Sequence, residues 1–355
     1  MMGKMNTAEL LIKCLENEGV NYIFGVPGEE NLHILEALKD STIKFITTRH
    51  EQGAAFMADV YGRLTGKAGV CLSTLGPGAT NLMTGVADAN LDGAPLVAIT
   101  GQVGTDRMHI ESHQYLDLVA MFAPVTKWTK QIVRPGITPE VIRKAFKLAQ
   151  TEKPGAVHID LPENIAAMEV EGQPLTKDSR EQMYASYRSV NSAALAIAKA
   201  KNPLILAGNG TIRAGAADAL TEFATRLNIP VANTFMGKGA IPYIHPLSLW
   251  TVGLQQRDLI TCGFEKSDLV ICVGYDLIEY SPKRWNPDGT TSIIHIGMKP
   301  AEIDSSYVPI AEVLGNIADS LDEILRRCDR QGKATPFGAS LRSNIRKDYE
   351  YYAED

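Results

Sequence analysis

The chain has 355 residues, enough for two domains of ordinary size, each able to bury a core of its own. Apolar residues make up 45% and charged ones 21%, a balance that excludes a disordered or fibrous chain. A net charge of −6 excludes a basic footprint for nucleic acid, and no apolar run approaches the roughly 20 residues of a bilayer span.

At the amino end, Asn6-Thr-Ala-Glu9 has the spacing of a capping box and predicts an amphipathic helix with Leu10, Leu11, Cys14 and Leu15 on one face. Leu10-Leu-Ile12 is too short for a secretory signal core, and Lys13 interrupts it. Five compact apolar cores follow: Tyr22-Ile-Phe24, Lys44-Phe-Ile-Thr47, Gly69-Val-Cys-Leu72, Leu96-Val-Ala-Ile99 and Ala156-Val-His-Ile159. They do not alternate with polar residues, as expected of parallel strands covered on both faces. Helical patterns lie between most of them, at Asn31 to Lys39, Gln52 to Leu64, Asn81 to Asn90 and Pro139 to Glu152. Strand, crossover and strand in repetition predict an α/β, doubly wound parallel sheet over residues 1–171.

Residues 172–189 are polar, without aliphatic periodicity, and read as a linker into a new helix. A second doubly wound unit is expected over 190–330. Its strands are Leu204-Ile-Leu206, Pro230-Val-Ala232, Leu269 to Val273 and Ser292 to Ile296, and its helices are Ala214 to Leu227 and Ile317 to Cys328. Residues 331–355 form a charged, aromatic tail with no evident packed element. Cys14, Cys71, Cys262, Cys272 and Cys328 are an odd count without a Cys-x-x-Cys pair, which points to reduced thiols and a cytoplasmic location.

Three loops should gather at the carboxyl ends of the first unit's strands, where open α/β sheets bind ligands. They are Gly25-Val-Pro-Gly28, the turn holding Glu51, and Thr74-Leu-Gly-Pro-Gly78. Glycine lets backbone approach a flat ligand and proline fixes the loop path. Each loop alone is also consistent with an ordinary strand-to-helix turn, with Glu51 complementing the amino end of its helix. His109 and His113 have a spacing that could ligate zinc on a helix, but no third ligand accompanies them, so no metal site is expected there.

The segments "YIFGVPG", "RHEQGAAFMADVYGRLTGKAGV", "STLGPGATNL" and "APLVAITGQV" together resemble the pyrimidine-binding domain of thiamine-diphosphate enzymes, most closely the acetolactate synthases. The likeness runs from about Thr7 to Cys328. It implies that Glu51 is the cofactor-activating glutamate, hydrogen-bonded to the aminopyrimidine so that the imino tautomer can take the thiazolium proton. By the same resemblance Pro27, Gly28, Thr74, Gly76, Pro77 and Asn81 lie against the pyrimidine. Gln114 faces the reacting centre, and Lys127 stands near the substrate channel.

For the second unit the resemblance implies a Rossmann-like middle domain, which carries FAD in the biosynthetic branch. Gly208-Asn-Gly210 alone is a weak dinucleotide signal. The stretch "VGYDLIEYSPKRWNP" has Tyr275 where that branch has an arginine and is similar to the catabolic, flavin-free synthases, so FAD is the less favoured cofactor. The family's Gly-Asp-Gly module, which holds Mg2+ and the diphosphate in a third domain, has no counterpart in this sequence.

The implied reaction decarboxylates pyruvate and joins the product to a second 2-oxo acid, in a homodimer or tetramer whose sites are shared between chains. Another thiamine-dependent 2-oxo-acid decarboxylase or carboligase, or a non-catalytic assembly or regulatory subunit keeping the fold, remains open.

Overall fold

The computed structural model describes residues 5–177, 183–253, 260–328 and 337–353. It divides into two compact units, Met1–Ser179 and Arg180–Asp355. Each is built on a six-stranded sheet.

The strands, in chain order, are β1 (Met5–Asn6), β2 (Tyr22–Gly25), β3 (Lys44–Thr47), β4 (Gly69–Ser73), β5 (Leu96–Gln102), β6 (Trp128–Gln131), β7 (Ala156–Pro162) and β8 (Glu169–Val170) in the first unit. The main sheet runs β3-β2-β4-β5-β7-β6 with every pair parallel, while β1 and β8 form a small antiparallel pair. All residues of β4, β5 and β7 are buried, which is why they read as unbroken apolar runs.

Side chains alternate between the two faces of these strands. Val70, Leu72, Val97 and Ile99 pack with Leu10, Leu11 and Leu15 of helix Thr7–Glu18 and with Ile142 and Phe146 of helix Thr138–Gln150. Cys71, Leu96 and Ala98 face the other way, into a core with Ala54, Ala55, Ala58, Ala79, Leu82 and Ala89. The capping box forms: Asn6 Oδ1 accepts from the Glu9 N–H at 2.8 Å, and Glu9 accepts from the Asn6 N–H at 2.7 Å.

The second unit holds β9 (Pro203–Ala207), β10 (Val231–Thr234), β11 (Ser248–Val252), β12 (Leu269–Val273), β13 (Ser292–Gly297) and β14 (Pro309–Leu314). They lie in the order β11-β10-β9-β12-β13-β14, all parallel. Helices Tyr187–Lys199, Ala217–Leu227 and Ile317–Arg327 cover one face, and an aromatic core of Phe264, Tyr275, Trp285 and Tyr307 lies on the other. The doubly wound α/β architecture is thus present in both units.

Two expectations need correction. The stretch read as linker, 172–189, already contains the start of a helix: Ser186 caps it by accepting from the Ser189 N–H at 3.1 Å. Residues 178–182 lie outside the described residues. The expected unpacked tail instead contains helix Phe337–Ala353, whose Leu341 and Ile345 are buried in the aromatic core. Those two residues are one helical turn apart, a pair too short to stand out in a charged sequence.

Candidate functional site

In the first unit the helix after β2 packs on one face of the sheet and the helix after β4 on the other, although β2 and β4 are neighbours. That is a topological switch point, the place where open α/β sheets bind ligands. Gly25 to Gly28 leaves β2 on one side, and Thr74 to Gly78 leaves β4 on the other. Beside them, β3 ends at Thr47 and helix Glu51–Thr65 begins.

His50 closes that helix start, its Nδ1 accepting from the Gln52 N–H at 3.1 Å. Glu51 is therefore the first helical residue, where a carboxylate complements the positive end of the helix. It does more than that. Its Oε2 accepts a hydrogen bond from Asn81 Nδ2 at 2.9 Å, across to helix Gly76–Asp92. A Cβ placed on Gly78 would stand 3.4 Å from Glu51 Oε1 and 3.0 Å from the Thr74 methyl, so the glycine keeps this side of the carboxylate accessible to backbone only.

The loops touch one another directly. A Cβ on Gly28 would lie 2.7 Å from Thr74 Cβ, and Gly76, at φ +51°, would meet the Gln114 carbonyl oxygen at 2.6 Å. Pro27 and Pro77 are exposed on these loops. The structure thus brings together Gly28, Glu51, Thr74, Gly76 and Asn81, with Pro27 and Pro77 on the same loops. Gln114 arrives from the loop after β5 with φ +55°, its backbone against Gly76 and its side chain exposed.

Lys127 belongs elsewhere. Its Nζ donates to the carbonyl oxygens of Leu148 (2.5 Å), Thr151 (2.9 Å) and Lys153 (2.7 Å), closing the carboxyl end of helix Thr138–Gln150. It immediately precedes β6, at the amino end of a parallel sheet and so at the edge opposite the loops. A channel role there is corrected to a helix-capping one. His109 and His113 lie exposed in a run of turns, where helical i,i+4 ligand geometry does not apply.

Three supporting residues escaped the sequence reading. Asn31, fully buried, accepts from the Gly28 N–H at 3.0 Å and donates to the Val26 carbonyl at 3.3 Å, bracing the first loop from within. Its spacing of three from Gly28 was the available signal. Glu30 accepts from the Thr74 hydroxyl and ties the first loop to the third. Gly101 in β5 makes room for both, since a Cβ there would strike the Glu30 carbonyl oxygen at 2.7 Å.

A buried polar network lies under the Gln114 loop. Thr100 has one hydroxyl proton and donates it to Asp160 at 2.8 Å, so its 2.9 Å contact with His158 Nε2 is one it accepts. His158 Nδ1 in turn accepts from Thr129 at 2.8 Å, and Gln131 donates to Asp160 at 2.7 Å. Phe122 stacks on the imidazole with centroids 3.9 Å apart. Burial pushes Asp160 up to about 6, against the hydrogen bonds from Gln131, Thr100 and Gln102, and drives His158 down to about 3. Gln102 reaches from the same strand to the Leu116 carbonyl at 3.1 Å, two residues from Gln114.

Residues 5–121 match the family described as thiamine pyrophosphate enzyme, N-terminal TPP binding domain, and residues 190–324 match its central domain. The chain belongs to the thiamine pyrophosphate enzymes.

Its relatives include proteins named acetolactate synthase. The probable acetolactate synthase large subunit of Methanococcus aeolicus is 40% identical over 335 residues, covering 92% of this chain and 56% of that protein. The catabolic acetolactate synthase of Raoultella terrigena is 36% identical, covering 97% of this chain and 62% of the relative. The acetolactate synthase of Bacillus subtilis is 36% identical, covering 90% and 57%. The chain spans less than two thirds of the length of these thiamine pyrophosphate enzymes.

Proposed function

We propose that the switch point of the first unit holds the aminopyrimidine of thiamine diphosphate, and that the chain forms part of an acetolactate-synthase-like enzyme. The observation that carries this is the Glu51 carboxylate, set beside the Thr74–Gly78 glycine loop, which touches the Gly28 loop, and held by Asn81. Gly28 and Gly78 let the loops close beside Glu51, since a Cβ on either would press on Thr74. Pro27, Gly28, Thr74, Gly76, Pro77 and Asn81 are assigned to binding it, and Gln114 to facing the reacting centre. The cofactor, when bound, supplies the carbanion chemistry that decarboxylates pyruvate and joins the product to a second 2-oxo acid.

Glu51 would exchange a proton with the ring nitrogen, and Asn81 would fix the orientation of its carboxyl group while doing so. A positioned acid of this kind contributes about 10²–10⁴-fold. The diphosphate and its Mg2+ are assigned to a separate domain, as the greater length of the relatives allows. A cytoplasmic location is part of the proposal, supported by the buried, reduced thiols of Cys14, Cys71 and Cys272. No helix among the described residues is long and apolar enough to cross a membrane.

Glu51→Gln keeps the shape and the Asn81 contact but cannot exchange the proton. Assayed with pyruvate in the complete enzyme, it is expected to abolish turnover while cofactor binding persists. Turnover close to that of the unaltered enzyme would refute the assignment.

A further inference from the structure

The biosynthetic acetolactate synthases that the chain resembles place FAD in their middle domain, the counterpart of the second unit. Its strand order puts the switch point between β9 and β12, where a dinucleotide fold opens its crevice. In such a fold the backbone N–H groups of the glycine turn after the first strand point at a pyrophosphate. Here each of those groups already has a partner within the chain.

The Gly208 N–H donates to the Val273 carbonyl at 2.9 Å, and the Gly210 N–H to the Gly274 carbonyl at 2.8 Å. Between them, the Asn209 N–H donates to both oxygens of Glu279, at 3.2 and 3.0 Å. The same carboxylate accepts from the Thr234 hydroxyl at 2.5 Å, and that hydroxyl is itself held by the Gly237 N–H at 2.9 Å.

The glycines serve chain against chain. A Cβ on Gly274 would lie 2.2 Å from the Thr211 nitrogen, and one on Gly208 would lie 2.5 Å from Tyr275 Cα. Tyr275 itself is buried, its hydroxyl donating to the Tyr280 carbonyl, in contact with Trp285 and Tyr307.

We infer that Glu279 is an internal anion that stands where a dinucleotide phosphate would be bound, and that it closes this crevice to FAD and nicotinamide dinucleotides. Two kinds of evidence meet in it: the turn's donors are engaged, and the two backbones at the switch point pack too closely to admit a ligand. A second negative charge brought to the same turn would face the carboxylate directly. The flavin-free character of the unit is then a property of its own residues.

The inference concerns the second unit alone, so its failure would leave the Glu51 assignment standing. The test uses the full chain. FAD and NAD+ are titrated against it by fluorescence, and amide hydrogen exchange is followed at residues 208–210. No saturable binding is expected, with the Asn209 amide protected. In Glu279→Ala, that amide is expected to lose about tenfold in protection, the worth of one hydrogen bond to a charged group, while Gly208 and Gly210 keep theirs. Stoichiometric FAD binding by the unaltered chain would overturn the inference. So would an unprotected Asn209 amide, and both can be read even if the variant fails to fold.

Discussion

At the scale of single residues, the first unit joins two buried groups whose titrations oppose each other. In the unfolded chain His158 takes its proton at 6.5 and Asp160 at 3.8; in the fold these values move to about 3 and about 6. Between about pH 4 and about pH 6 each state therefore holds one proton on the pair, on the histidine when unfolded and on the aspartate when folded. The pair adds little pH dependence as it stands. Removing one partner exposes the other. In Asp160→Asn only the depressed histidine is left, so its stabilisation is complete above pH 6.5 and falls as the pH drops below that. In His158→Gln only the raised aspartate is left, and stability falls as the pH rises from about 4 through about 6. Each slope should approach 1.4 kcal/mol per pH unit. Urea unfolding of both variants across this range is the measurement, and slopes of the same sign would contradict the account. None of this network was legible in the sequence, because Thr100, Thr129, His158 and Asp160 meet only through the register of three strands.

At the scale of elements, the position of Glu51 depends on how closely two helices approach. Helix Glu51–Thr65 and helix Gly76–Asp92 meet through alanine and glycine, and a Cβ on Gly85 would lie 2.7 Å from Ala55 Cβ and 2.9 Å from the Phe56 nitrogen. Arg63, held by Asp59 of its own helix at 2.9 Å, ties the pair further by reaching Asp88 at 2.9 Å and Asp92 at 2.8 Å. Gly85→Ala should therefore cost about 1–3 kcal/mol by overpacking and separate Glu51 from Asn81. Gly53→Ala, in the other helix of the pair and with nothing within 4 Å, should instead stabilise by about 0.4–1 kcal/mol. Thermal melts of the two variants should move in opposite directions. Legibility at this scale followed burial. Strands covered on both faces gave apolar runs that showed in the sequence. Of the edge strands β3 was read, but β6 and β14 were not: β6 reads Trp-Thr-Lys-Gln, and β14 reads Pro-Ile-Ala-Glu-Val-Leu, mixing polar with apolar because one side is less covered.

At the scale of the whole molecule, the first unit carries an uncovered apolar stripe. Phe56, Met57, Val60 and Leu64 recur at helical spacing on the helix that begins with Glu51, with Val60 48% and Leu64 81% exposed. The homodimer or tetramer that the resemblance implies would find in this stripe an apolar face beside its site. Sedimentation of the full chain should show a multimer, and Val60→Asp with Leu64→Glu should shift it toward the monomer without unfolding it. An unaltered sedimentation profile in the double variant would remove this face from the assembly.

Local chemistry was readable from the sequence by itself. The capping box, the apolar runs and the glycine-proline turns specify their neighbours within a few residues, and they were enough to establish two doubly wound units and to single out Glu51. Only the tertiary structure decided which side chains meet across distance: Asn81 on Glu51, Asn31 inside the first loop, Lys127 at a helix end, and Glu279 on the Asn209 amide. Such pairings depend on strand order and helix approach, and those are settled by packing the whole core at once.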